Sequence, residues 1–280
     1  MMSYILYRTA SALAGTLPRP QATKLATAVA FVFYVCRPAT RRNIRRNYER
    51  LGMPRERTFG VFRNFSLAVT DLLRLSRMSR EELLAAVDLR GAEHLERALA
   101  KGKGAILFAP HLGPWEIAGA YMSVSGYPMH TVALEHPSSR VTAFFSTIRR
   151  KWGFSDYPTS TCAAGLTRAL RKGEPVVLLI DRNFSRRGMI MRFLGRDVLL
   201  PDGHVSLALR SGAPLLPSCS LYTREGRIEV VIGPEIEAPS PDTPAVVIGN
   251  RCLERIEAFI RAYPDQWFAF DHVWGEEHGA

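Results

Sequence analysis

His111 and Glu116 bracket the run His111-Leu112-Gly113-Pro114-Trp115-Glu116, which follows directly on the continuous apolar stretch Ala105-Ile106-Leu107-Phe108-Ala109. An imidazole and a carboxylate at the mouth of a buried strand can activate a hydroxyl for attack on an acyl group. One ring nitrogen takes the proton, while the carboxylate fixes the tautomer and balances the developing charge. Pro114 suits the first helical position, where its missing N–H costs nothing, and Gly113 suits the cap. Glu116 then falls in the first turn, where the helix end favours a carboxylate. His111 precedes the helix, so a turn can fold its ring back onto Glu116. A histidine and a glutamate at this spacing also occur as capping or surface residues, and spacing alone leaves both readings open.

Other chemistries lack their signatures. There is no Gly-x-Ser-x-Gly elbow, no Gly-rich nucleotide fingerprint and no Walker pattern. His130, His136, His204, His272 and His278 are scattered, and no grouping suggests a metal cage, so no metal is expected. Cys36, Cys162, Cys219 and Cys252 form no CxxC pair; they read as small apolar residues in a reducing compartment.

The elements that must position His111 alternate between two periodicities. Thr58 to Leu84 carries apolar residues at helical spacing, and Glu93 to Lys101 reads as a short helix stopped by Gly102 and Gly104. Short apolar runs at 105–109, 131–134, 175–180, 215–221 and 228–232 read as buried strands. Helical patterns at 138–152, 162–170, 205–210 and 245–262 lie between or after them. This alternation predicts one α/β domain around a mixed, largely parallel sheet flanked by helices. The segment Ala238-Pro239-Ser240-Pro241-Asp242-Thr243-Pro244 is the one linker candidate and is too short to separate domains.

The 280 residues carry a formal charge of +11, which favours an anionic partner. The strongest basic cluster is six arginines between Arg37 and Arg50, directly after the apolar run Leu25 to Cys36. That run is too short to span a bilayer, which takes about 20 apolar residues. An apolar helix beside a basic cluster predicts a segment, residues 1–57, lying on an anionic membrane surface, with the main domain over 58–280. A helix packed on its own domain with a solvated basic face is the plainer alternative. No nucleic-acid-reading module accompanies the charge, and no nucleic acid is expected.

The stretch from Gly102 to Gly119, centred on His111-Leu112-Gly113-Pro114-Trp115-Glu116, resembles the lysophospholipid acyltransferase superfamily. More closely, it resembles the branch of the late lipid A acyltransferases and phosphatidylinositol mannoside acyltransferase, whose motif reads His-Phe-Gly-Asn-Trp-Glu. Pro114 stands where asparagine is commoner. The resemblance continues through Leu178-Leu179-Ile180-Asp181-Arg182-Asn183, Met191-Arg192-Phe193-Leu194-Gly195-Arg196, Leu207 to Pro217, and Pro264-Asp265-Gln266-Trp267 with the later Trp274.

The resemblance implies a glycerolipid acyltransferase-like fold with His111 as catalytic base and Glu116 as its acidic partner. It implies a membrane-associated O-acyltransferase that moves a fatty acyl chain from an acyl-carrier-protein or coenzyme A thioester to a glycolipid or phospholipid hydroxyl, with no bound cofactor. The expected place is the cytoplasmic face of the bacterial plasma membrane, peripheral or monotopic. Arg149, with Arg150 nearly as good a choice of register, is a candidate for holding phosphate or phosphopantetheine. Asp181, at a strand's C-terminal end, is a candidate to order Arg149 or bind a headgroup hydroxyl. Arg182 is a candidate phosphate contact, and backbone N–H groups of the Gly113 turn are candidate oxyanion donors. A thioesterase or lysolipid hydrolase using the same dyad on water is the alternative.

Overall fold

The computed structural model describes residues 2–184, 187–236 and 243–274. Seven strands make the main sheet: β1 (Val87–Arg90), β2 (Ala105–Ala109), β3 (His130–Ala133), β4 (Ser155–Pro158), β5 (Pro175–Leu179), β8 (Leu215–Tyr222) and β9 (Ile228–Ile232). Their order is β1-β9-β8-β2-β5-β3-β4, and β6 (Met189–Phe193) with β7 (Arg196–Leu200) forms a separate hairpin. All neighbours in the main sheet are parallel except β8 and β9. The mixed, largely parallel sheet expected from the alternating pattern is therefore what forms.

β2 sits in the middle because both its faces are covered. Ile106 and Phe108 point into one apolar cluster with Leu166, Val205 and Leu253, and Ala105 and Leu107 into the other with Leu95, Ile117 and Ile148. The first cluster draws on α9 (Cys162–Arg171), α10 (Gly203–Ser211) and α11 (Ala245–Ala262). The second draws on α6 (Ala92–Leu99), α7 (Trp115–Val124) and α8 (Ser139–Lys151). All five β2 residues are buried, which accounts for the unbroken apolar run.

The N-terminal part is helical: α1 (Met2–Thr16), α2 (Arg19–Cys36) and α3 (Pro38–Leu51), followed by α4 (Thr58–Arg74) and α5 (Arg80–Ala86). α2 packs on α4. Its buried residues Ala22, Ala26 and Ala30 recur every four positions and suit a close helix approach. The opposite side exposes Leu25, Val29, Val32 and Phe33. Among the described residues no helix is long and apolar enough to cross a membrane.

Three local features depart from the sequence reading. The helix expected over Thr58–Leu84 breaks after Arg74 and restarts at α5, where Ser79 and Glu82 form a reciprocal capping box. β1 and β4 join as short edge strands with partly polar faces. The stretch Met191 to Arg196 is a hairpin turning on Leu194 (φ 49°) and Gly195 (φ 84°), the two positive φ values a tight primed turn requires. Of the linker candidate, residues 238–242 lie outside the described residues.

Candidate active site

The β2–β5 register builds the site. Ala109 is paired with Leu179, and the Ile180 N–H donates to the Ala109 carbonyl at 3.0 Å. Continuing both chains brings His111 level with Asp181, each two residues past the last paired position, at the C-terminal edge of a parallel sheet. Asp181 Oδ1 accepts from the His111 backbone N–H at 3.0 Å and lies 2.7 Å from His111 Nδ1. A third segment completes the cluster. Leu112 bridges Trp267 in antiparallel fashion, the Gly113 N–H donates to Gln266 O and the Phe268 N–H to His111 O. Trp267 is thereby placed so that its Nε1–H donates to Asp181 Oδ2 at 2.7 Å.

Asp181 is completely buried. Burial alone raises a carboxyl pKa, but the charge and hydrogen bond of His111, the Trp267 donor and the Arg182 charge together hold Asp181 below its ordinary value. An ionised carboxylate only accepts hydrogen bonds, so Nδ1 of His111 carries a proton in either charge state, and in the neutral ring it is Nε2 that holds the lone pair. The ring is flanked edge-on by Trp115 and Phe184, with centroids 5.5 and 5.8 Å away.

Glu116 does not serve as the ring's partner. It stands in the first turn of α7, as expected, but its carboxylate meets Arg149 of α8 in a two-point pair of 2.9 and 2.5 Å. Arg149 also donates to Asp156 of β4 at 3.0 Å, so it is held between two carboxylates. Burial disfavours its charge, yet Glu116 and Asp156 outweigh that and raise its pKa. The expectations that Glu116 orders the ring and that Asp181 orders Arg149 are thus exchanged: Asp181 holds His111, and Glu116 holds Arg149. With its charge matched, Arg149 is poorly placed to grip a phosphate. Arg150 is exposed and among the described residues reaches only Thr147 of its own helix, so the alternative register leads away from the site. Arg182 donates to Phe268 O at 3.2 Å and pairs with Asp271 at 2.5 Å. It braces the Trp267 segment and lies 4.6 Å from the Phe184 ring centroid.

The turn between β2 and α7 needs glycine at position 113. Its φ is +61°, and an added Cβ would stand 2.2 Å from Ser220 O. The turn's amides are mostly committed. Leu112 N–H donates to Pro110 O, Gly113 N–H to Gln266 O, Trp115 N–H to Gly113 O and Ile117 N–H to Pro114 O. Gly113 itself is therefore not a free oxyanion donor. Pro114 takes the cap position rather than the first helical one.

An open cleft of about 500 Å³ lies over His111, lined also by Trp115, Glu116, Arg149, Leu166, Phe184, His204 and Arg210. At Trp115, Glu116, Thr131, Val132, Arg149 and Leu179 it meets an apolar chamber lined by Met122, Met129, Phe154 and Ile232. A second histidine–carboxylate contact, His130 Nε2 to Glu174 at 2.8 Å, sits where β3 begins. His130 pairs with Val176, near the start of β5, which puts it at the opposite sheet edge from His111. Among the described residues no group of His, Cys, Asp and Glu is arranged to hold a metal ion.

Burial pushes the pKa of His204 down from 6.5 to about 4. Between those values the unfolded chain binds the proton and the folded one does not, so stability falls as pH drops from 6.5 toward 4. The loss totals about 3 kcal/mol. Denaturant melts across that range should show this slope in the native protein and a shallower one in His204→Phe.

The family described as bacterial lipid A biosynthesis acyltransferase matches residues 1–275. A phosphatidylinositol mannoside acyltransferase of Mycolicibacterium smegmatis is 28% identical over 208 residues, 73% of this chain and 67% of that protein. The Mycobacterium tuberculosis protein of the same name is 29% identical over 211 residues, covering 73% and 66%. A lipid A biosynthesis acyltransferase of Haemophilus influenzae is 26% identical over 192 residues, covering 68% and 59%. The chain thus spans about two thirds or less of the length of these relatives.

Proposed function

The chain belongs to the bacterial lipid A biosynthesis acyltransferase family, whose chemistry is acyl transfer to lipid acceptors, and from this premise and the His111 cluster we propose that it moves a fatty acyl chain from an acyl thioester to a lipid hydroxyl. The observation that carries the reading is His111, oriented through Nδ1 by a buried carboxylate and lining an open cleft, with no hydrogen-bond partner on Nε2 among the described residues. Nε2 takes the proton as the acceptor oxygen attacks the thioester carbonyl. The tetrahedral intermediate then collapses with breakage of the C–S bond, and the imidazolium returns the proton to the departing sulfur. α7 begins directly after this turn, and its N-terminal backbone N–H groups take the role of oxyanion donor in place of Gly113. The apolar side of the cleft, at Val132, Leu134, Leu166 and Leu178, takes the acyl tail. Arg149, matched by Glu116 and Asp156, ties α7 to α8 and β4 and keeps the cleft wall in place.

The donor in this reading is an acyl-carrier-protein or coenzyme A thioester, and the acceptor a glycolipid or phospholipid, in keeping with the phosphatidylinositol mannoside and lipid A in the names of the relatives. Residues 1–57 form the membrane-facing segment and 58–280 the catalytic domain, on the cytoplasmic face of the plasma membrane. The support for this placement is the exposed apolar side of α1 and α2, with Leu6 at 67%, Phe31 and Val32 at 58% and Phe33 at 51% exposure, next to the arginines of α3. Replacing Val32 and Phe33 together by serine removes two of these contacts. Co-sedimentation with vesicles containing phosphatidylglycerol should then weaken by about tenfold or more.

The activity test offers purified protein both thioesters, with and without membrane lipids, and follows products by mass spectrometry beside His111→Ala. An acyl mass added to a lipid, lost in the variant, supports transfer. Free fatty acid released at the same rate without lipid, and also lost in the variant, overturns it in favour of thioester hydrolysis.

A further inference from the structure

His204 is a polar group of the cleft that the proton-transfer cluster does not use. It stands in the first turn of α10, whose positions Gly203, Ser206, Leu207 and Arg210 also line the cleft. The side chain is fully buried, with its ring centroid 6.2 Å from that of Phe108. Neither ring nitrogen has a hydrogen-bond partner among the described residues. No side chain caps this end of α10 either. Buried polar groups are nearly always satisfied, and an unmatched one at the wall of a binding cleft calls for a reason.

We propose that His204 is a substrate-binding residue whose ring hydrogen-bonds an uncharged amide or hydroxyl of the molecule held in the His111 cleft. This rests on the acyl-transfer reading and adds a contact to it. Burial keeps the imidazole neutral, so it offers one N–H and one lone pair, the complement of an amide or a hydroxyl. A phosphate or carboxylate is the poorer match for this ring, because a neutral imidazole brings it a single N–H and no charge. An amide is the chemistry of the pantetheine arm of a thioester donor, and a hydroxyl that of a sugar or glycerol acceptor. One buried contact serves either, and kinetics with each substrate varied in turn separates them.

The test compares the full-length protein with His204→Phe, His204→Leu and His204→Gln. Initial rates are measured with the donor and acceptor varied separately, and thermal melts are run without substrate. The apolar variants should melt at or above the native temperature, because an unmatched polar group has been removed. They should also raise one KM by about tenfold, with kcat changed less. Gln, which keeps a donor and an acceptor, should recover part of that loss. A rise confined to the donor KM assigns the amide, and one confined to the acceptor KM assigns the hydroxyl. Leu stands in if the larger Phe ring prevents folding. Native kinetics in a folded apolar variant overturns the role and leaves His204 a packing residue. Native protein without transfer activity refutes the acyl-transfer reading itself, and this assignment falls with it.

Discussion

Asp181→Asn lowers kcat/KM by about 10²–10⁴-fold, close to the loss expected for His111→Ala. Both carboxylate oxygens of Asp181 are acceptors: Oδ1 toward the His111 backbone N–H and Nδ1, Oδ2 toward Trp267 Nε1. Asparagine has one acceptor oxygen and one amino group, so it cannot match both sides. With its oxygen toward His111, two N–H donors face each other at Trp267. With its oxygen toward Trp267, the amino group confronts the His111 backbone N–H and drives the ring to the opposite tautomer. That tautomer carries its proton on Nε2 and cannot act as base. Either arrangement leaves a buried donor unmatched, costing about 1–3 kcal/mol of stability as well. Glu116→Gln, by contrast, leaves the Asp181 contacts of the ring untouched, since Glu116 bonds Arg149. Nitrogen-15 shifts of the His111 ring distinguish the two. Asp181→Asn should change the tautomer signal and Glu116→Gln should not; a tautomer change in Glu116→Gln alone would restore Glu116 as the ring's partner.

The reason the sequence points to Glu116 rather than Asp181 is one of range. His111 and Glu116 are five positions apart, and a local window sees both. His111 and Asp181 are seventy apart, and they meet because β2 and β5 are parallel neighbours in register. Apolar runs reveal strands but carry no pairing information, so the adjacency of β2 and β5 was not legible. Trp267 was visible within a family-like block yet silent about its role, which needs the 266–268 segment beside 111–113. By contrast, β2, β5, β8 and β9 were legible as buried apolar runs, and the start of α7 was legible from Pro114 and Glu116. β4, with Ser155, Asp156, Tyr157 and Pro158, was not, because an edge strand needs no apolar alternation. Yet β4 supplies Asp156, the second carboxylate on Arg149. The hairpin turn at Leu194-Gly195 lacks the Asn-Gly signal, and its backbone emerges only in the fold.

Arg149→Met should be the most destabilising single change in the cleft wall. The guanidinium is largely buried, at 14% side-chain exposure, between Glu116 at 13% and Asp156 at 8%. Removing it leaves two carboxylates facing each other with only the Ser146 hydroxyl on Asp156 and no matching cation. Truncating one partner of a buried pair costs about 3–5 kcal/mol, mostly the penalty of stranding the remaining charge. For a chain of this size that is a fall in Tm of roughly 10 °C. The same reasoning makes the full neutral replacement, Glu116→Gln with Arg149→Met and Asp156→Asn, much milder than the single change, because no charge is left behind. Thermal melts of the single and triple variants decide the matter. If the triple variant loses as much as the single one, then packing of the arginine stem, rather than charge matching, holds α7 to α8 and β4. If it recovers most of the loss, Glu116 acts as an anchor for the cleft wall, and its effect on catalysis passes through Arg149 to the shape of the site rather than through the proton on His111.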